Sequence, residues 1–279
     1  MDSIRVTTTL DADNIGWKGS QLRCLLLTSL ETSALQKSLK RIINQKDVDG
    51  LVIEFANDFK YYPQGFTDWR EIEIDKEKIP INGSIDYCEK LNSWWLERSA
   101  RTPVWDFACT AEINGKQGFI LVEAKAHMNE LLKEQDKSGA RMGSPNRRKI
   151  VEALSHIERE YNYKLSADNH YQLSNRLAWS LKLASLGIPV VLIYLGCIKT
   201  EEMTVSKKDS LFEDSKQWDD VVTQYSEEIN FRDWGKMISG EKLQDITCSV
   251  APGFVYPIIR TANIQLQKGA LNLTCNIDL

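Results

Sequence analysis

Hydrophobic positions along the first eighty residues change rhythm several times. Glu31 to Asn44 (ETSALQKSLKRIIN) repeats at helical spacing, with Leu35, Leu39 and Ile42 or Ile43 on one face. The continuous run Leu22-Arg-Cys-Leu-Leu-Leu27 predicts a short strand, and Gly50-Leu-Val-Ile-Glu-Phe-Ala56 predicts another. Lys60 to Arg70 is aromatic-rich and holds Pro63, Gly65 and Trp69, which predicts an irregular loop. Glu71-Ile-Glu-Ile74 alternates polar and apolar, the pattern of an edge strand.

From residue 84 the pattern is cleaner. Asn82-Gly83 marks a turn, and Ser84 is placed to cap a helix through Ile85, Cys88, Leu91 and Trp95. Thr102-Pro103 leads into a strand from Val104; Asn114-Gly115 marks a turn, and a second strand runs to Lys125. Residues 127 to 147 are polar, with Gly139, Gly143 and Pro145, and read as a mobile loop. Ile150 to Tyr161 reads as a helix. Asn169 with Gln172 resembles a capping box opening a helix to Leu186, closed by Gly187. Pro189 to Leu195 is apolar throughout, as in a buried strand. Trp218, Val221, Val222 and Tyr225 predict one more helix, and short strands or coil follow Cys248.

Helix, strand, strand, helices, strand in that order predicts an α/β core with a mixed sheet over residues 81–200. Residues 1–80 then form an N-terminal extension or small lobe, and 201–279 an addition packed on the core.

Composition narrows the classes. Hydrophobic residues at 42% and charged residues at 27% suit a globular protein with a sizeable core. A net charge of -4 excludes a strongly basic fold but is compatible with a local basic groove. The six Cys form no C-x-x-C pair and the three His are scattered, so buried free thiols are expected and zinc is not. The start reads as no signal peptide, and no apolar run is long enough to span a membrane, which makes the cytoplasm the expected location. Gly115-Lys-Gln-Gly118 sits in a turn and is too short for a phosphate-binding loop.

The chemistry-bearing stretch is Asp106 to Lys125 (DFACTAEINGKQGFILVEAK). A two-residue type I′ turn at Asn114-Gly115 pairs Ile113 with Lys116, and counting back sets Asp106 opposite Glu123. Opposed side chains share a face with Cβ atoms about 5 Å apart, and Lys125 shares that face too. Two facing carboxylates repel, unless a divalent cation sits between them. Mg²⁺, or Mn²⁺ in its place, suits such oxygen ligands, with the Ala124 carbonyl as a backbone donor and Glu97, late on the preceding helix, as a further acid. Lys125 could orient or deprotonate a water, or offset charge growing on phosphorus. One-metal and two-metal chemistry both stay open. The plain alternative is a solvated strand end with a surface ion pair.

Asp106, then Glu123-Ala-Lys125, with Glu97 before them, resembles the motif of the PD-(D/E)xK, or restriction-endonuclease-like, nuclease superfamily. The resemblance runs from residue 84 to 196. The sequence departs from the fullest motif, because Val104-Trp105 precedes Asp106 and Pro103 lies earlier. Gln172, or Asn175 with Arg176, are loose matches to a polar residue that some members carry on the following helix. The resemblance implies a restriction-endonuclease-like core, Mg²⁺-dependent cleavage of DNA, less often of RNA, and Asp106, Glu123 and Lys125 as catalytic residues. A homodimer is compatible with double-strand cutting. The superfamily also holds non-catalytic members, so a nucleic-acid-binding or assembly protein on the same fold is the alternative.

Arg141, Arg147, Arg148 and Lys149 follow the motif and could grip a nucleic-acid backbone, or simply solubilise a helix start. His127, two residues past Lys125, could help position a phosphate or a water, but reads first as a lone surface histidine. Phe59, Tyr61, Tyr62, Phe66 and Trp69 read first as packing and only second as a base-stacking platform.

Overall fold

The computed structural model describes residues 4–8, 19–46, 48–77, 79, 81, 86–131, 137–200, 211–244, 250–268 and 273–278. Its strands are β1 (Ile4–Thr8), β2 (Ile53–Glu54), β3 (Tyr61–Tyr62), β4 (Phe107–Ile113), β5 (Lys116–Lys125), β6 (Val190–Cys197), β7 (Ile238–Ser239), β8 (Phe254–Lys268) and β9 (Leu273–Asp278). Its helices are α1 (Gly19–Thr28), α2 (Thr32–Ile43), α3 (Tyr87–Trp95), α4 (Pro145–Tyr161), α5 (Tyr171–Ser185) and α6 (Ser215–Glu227). None is long and apolar enough, among the described residues, to cross a membrane.

The protein is α/β, a mixed sheet flanked by helices. Strand order is β1-β9-β8-β6-β5-β4-β2, with β3 beside β4 and β7 beside β8. β5, β6 and β8 run parallel; the other pairings are antiparallel. The β4–β5 turn has positive φ at both Asn114 (49°) and Gly115 (77°), as a type I′ turn requires. Its register is the expected one, from Ile113↔Lys116 to Phe107↔Val122.

Two cores sandwich the sheet. Phe119 and Leu121 of β5 join the core under α3, α4, α5 and α6. Ile120, Val122 and Ala124 join the core under α1 and α2. This alternation decides where the site lies, because Glu123 and Lys125 continue the face of Phe119 and Leu121 and turn toward α5.

Several elements differ from the sequence reading. Leu22 to Leu27 is helical: α1 buries every residue from Leu22 to Thr28, so its apolar run serves a helix enclosed on all sides. Its one charge, Arg23, donates from Nε to the Ile264 carbonyl at 3.1 Å. α3 is capped by Asp86, which accepts from the Glu89 N–H at 3.3 Å; Ser84 lies outside the described residues. α4 opens earlier, on Ser144 as cap and Pro145 as first residue. At α5 the cap is His170 with φ 52° and no side-chain cap bond, while Ser166 Oγ takes the Asp168 and Asn169 N–H groups. Gly187 ends that helix at φ 88°, as expected. β8 is a 15-residue strand inside the sheet rather than a short piece or coil. The sheet and its helical layers therefore draw on residues outside 81–200: α1 and α2 before it, β8 after it. Cys24, Cys88, Cys109 and Cys197 are buried and form no disulfide among the described residues.

Candidate active site

The ladder between β4 and β5 stops at Phe107↔Val122. Asp106 lies one residue beyond, half-buried, and its Oδ2 accepts the Ala124 backbone N–H at 2.8 Å. That bond extends the pairing past the last ladder rung and sets Asp106 beside Glu123. Glu123 is 1% exposed and Lys125 6%, so this is no solvated strand end.

Both oxygens of Glu123 are engaged. Lys125 Nζ donates to Oε1, and Arg176 of α5 donates from Nε to Oε2 at 2.6 Å. Arg176 also donates to the Val104 carbonyl at 2.6 Å and to Asn175 Oδ1 at 2.8 Å, and its guanidinium lies 4.6 Å from the Trp105 ring centre.

These contacts divide the charge unequally. Burial and the neighbouring Glu123 push the Asp106 carboxyl up to about 8, against the pull of Lys125 and the Ala124 N–H. Burial raises Glu123 as well, but Arg176 and Lys125 outweigh it and hold it below the ordinary carboxylate value. Burial lowers Lys125, yet Glu123 and Asp106 outweigh it and hold the ammonium above its ordinary value. Lys125 is thus a firm cation, a poor proton acceptor beside Glu123, suited to orienting a group or offsetting negative charge.

A cleft of about 1040 Å³ opens over this cluster. Tyr171, Gln172, Asn175 and Arg176 form its α5 wall. No family model, curated protein or solved structure matches this chain. The site is therefore read from its own geometry.

Glu97 is not where the sequence placed it. α3 ends at Trp95, Leu96 turns extended, and Glu97 lies past the helix with its N–H bonded to Asn146 Oδ1 at 3.0 Å. It is not among the residues lining the cleft, whereas Glu71 and Glu130 are. Ile72 and Trp105 form an antiparallel bridge, which sets Glu71 opposite Asp106. Burial and Glu123 raise the Glu71 carboxyl. The signal for Glu71 was the alternating Glu71-Ile-Glu-Ile stretch; its partner segment could not be read. Glu130 Oε2 accepts the Ala126 N–H at 2.8 Å, and its Oε1 lies 3.3 Å from His127 Nε2. His127 is buried, contrary to the surface position expected.

The four basic candidates separate. Arg141 is exposed on the cleft wall, joined by Arg101 and Lys137, which the sequence reading missed. Arg147 is buried and bonded to the Ala167 carbonyl and Asp168, so its guanidinium is not open to a phosphate. Arg148 donates to the Gly143 carbonyl at 2.7 Å, and Lys149 lies 3.9 Å from Glu152; neither lines the cleft. Of the aromatic set, Phe59 is buried and stacks on Tyr61, and Tyr62 and Phe66 pack against the cores.

Among the described residues no group of three or more His, Cys, Asp and Glu side chains is arranged to hold a metal ion. Mg²⁺ needs less from a protein, commonly one or two carboxylates completed by waters and substrate oxygens. Asp106 and Glu123 supply two carboxylates side by side, although Lys125 and Arg176 already bond both oxygens of Glu123. The Ala124 carbonyl lies on the same strand edge as its N–H, the edge that faces β4.

Proposed function

We propose that the chain is a Mg²⁺-dependent nuclease that hydrolyses phosphodiester bonds of DNA on a restriction-endonuclease-like core. The observation that carries this reading is the Asp106–Ala124 bond, which holds Asp106 beside Glu123 and Lys125 on the floor of a cleft. Asp106, Glu123 and the Ala124 carbonyl would hold the ion. Bound there, Mg²⁺ (or Mn²⁺) would supply Lewis-acid polarisation of a phosphate oxygen and a lowered pKa for a coordinated water. Lys125, a cation in direct contact with Glu123, would orient the attacking water and offset charge developing on the phosphate oxygens. Arg101, Lys137 and Arg141 on the cleft wall would hold flanking phosphates.

One observation favours a second reading. Lys125 and Arg176 already occupy both Glu123 oxygens, which suits a closed ion-pair cluster in a non-catalytic nucleic-acid-binding or assembly protein. Incubation with circular and linear DNA under Mg²⁺, Mn²⁺ or EDTA separates the two. The nuclease reading expects metal-dependent cleavage that Lys125→Ala and Asp106→Asn each abolish. Calorimetry finding no Mg²⁺ or Mn²⁺ binding that responds to Asp106→Asn would remove it and leave the binding protein.

A further inference from the structure

We propose that Arg176 is the positioning residue of this site, one guanidinium that fixes the Asp106 segment and Glu123 relative to each other where the β-ladder no longer does. The claim deepens the metal-site reading and rests on it for one of two measurements. Ladder pairing between β4 and β5 ends at Phe107↔Val122, so residues 104–106 lie outside it. Beyond it the Asp106–Ala124 bond and the Ile72↔Trp105 bridge hold the segment, and Arg176 alone, among the described residues, ties it directly to the Glu123 carboxylate. The Nε–Nη2 edge faces Glu123 Oε2, with both nitrogens 2.6 Å from it, and Nη2 also holds the Val104 carbonyl at 2.6 Å, two residues before Asp106.

The guanidinium is itself fixed on its remaining edge and face. Asn175 Oδ1 accepts from Nη1 at 2.8 Å, and the Trp105 ring lies under the plane at 4.6 Å. Arg176 is 5% exposed and projects from the middle of α5, a rigid support whose neighbours Leu173, Leu177 and Ser180 are buried. A planar fork fixes the directions of its donors along three edges; an ammonium on a flexible stem carries the same charge and three donors but does not hold that geometry. Simple charge compensation for a buried carboxylate would need only the charge. The contacts to Val104 and Trp105 are what a positioning role adds.

Arg176→Lys separates the two roles, because it keeps the cation and loses the fork. Near-UV circular dichroism first establishes that the variant is folded, with Arg176→Gln as the second variant where it is not. The first readout needs no metal: amide hydrogen exchange at Ala124, whose N–H is bonded to Asp106, should quicken about tenfold while Ile120 in the ladder is unchanged. The second is Mn²⁺ affinity of the full chain by calorimetry, which should fall about tenfold or more, as for other groups that orient a ligand. Unchanged exchange at Ala124 in a folded variant overturns the positioning role. Quickened exchange in a chain whose wild type binds no Mn²⁺ upholds Arg176 as the clamp and overturns the metal-site reading instead.

Discussion

Asp106 accepts a hydrogen bond from the backbone N–H of Ala124 at 2.8 Å. Ala124 is the residue between Glu123 and Lys125, so one bond ties the Asp to the centre of the Glu-x-Lys element. A half-buried carboxylate held by a backbone donor keeps a fixed orientation, which a metal ligand needs more than it needs flexibility. Asp106→Asn keeps the size and can keep the bond while removing the charge. On the nuclease reading it is expected to lower DNA cleavage at least about 100-fold, to leave the melting temperature of the metal-free protein little changed near pH 6, where Asp106 already carries a proton, and to raise it near pH 9, where the ionised Asp106 would repel Glu123. Nuclease assay and thermal denaturation on the same preparation check both parts.

Lys125 makes a different kind of contribution. Removing it strips Glu123 Oε1 of its buried partner and leaves Arg176 alone to compensate the carboxylate. Lys125→Ala should therefore cost stability as well as activity, on the order of 3 kcal/mol by urea denaturation, the range for breaking a buried ion pair. Cleavage lost with stability unchanged would mean that the pair is not formed in solution.

How far the site could be read from sequence depended on whether its partners were local. Asn114-Gly115 dictates its own turn, and the turn dictates every pairing down to Phe107↔Val122, so the Asp106–Glu123 relation was legible. Glu71 was not, because its place depends on the Ile72↔Trp105 bridge across a long stretch of chain. Arg176 was visible only as a polar residue on a helix; its link to Glu123 is tertiary. Arg147 shows a readable signal that was missed. Once Ser144-Pro145 is taken as the helix start, Arg147, Ile150, Leu154 and Ile157 fall on one buried stripe. The helical state of α1 was beyond periodicity alone, since a short run of five apolar residues broken by Arg23 fits a buried strand or a buried helix equally.

Gly196 offers a test of how tightly the floor of the site is packed. It pairs with Lys125 in the β5–β6 ladder, and a Cβ there would lie 2.6 Å from the Trp218 ring of α6. Trp218 is fully buried and cannot move aside cheaply. Gly196→Ala is expected to destabilise the protein by about 1–3 kcal/mol in urea denaturation, the usual cost of overpacking.

The exposed cations of the cleft predict a salt signature. Arg101, Lys137 and Arg141 are exposed on its wall, whereas Arg147 is buried and committed to Ala167 and Asp168. Binding of a fluorescent DNA duplex, measured by anisotropy in EDTA, should weaken with added salt. Each of Arg101→Ala, Lys137→Ala and Arg141→Ala should reduce the log–log slope by about 1. Lys149→Ala, away from the cleft, should leave the slope as it is. Equal effects at Lys149 and Arg141 would move the binding face off the cleft.

The carboxylate pair finally predicts how stability follows pH. Asp106 is raised from 3.8 to about 8 in the folded protein. Its protonated form is favoured by folding, so this stabilisation is complete below about pH 4 and is lost as pH rises through about 8. Glu123 is held below its ordinary 4.5, so its contribution is present above that value and is lost as acid protonates it. Between these limits one proton on Asp106 and one charge on Glu123 coexist, and from these two groups the metal-free protein should be most stable at the acid end of that window and lose stability steadily toward about pH 8. The melting temperature should then fall as pH is taken from 6 to about 9, and Asp106→Asn should flatten that limb. Mg²⁺ bound by the ionised pair competes with the Asp106 proton, so the ion should restore stability more at pH 9 than at pH 6. Thermal melts of wild type and Asp106→Asn with EDTA or Mg²⁺ across that range check the sign. A wild-type alkaline limb that neither the variant nor the ion alters would show that Asp106 does not carry the proton.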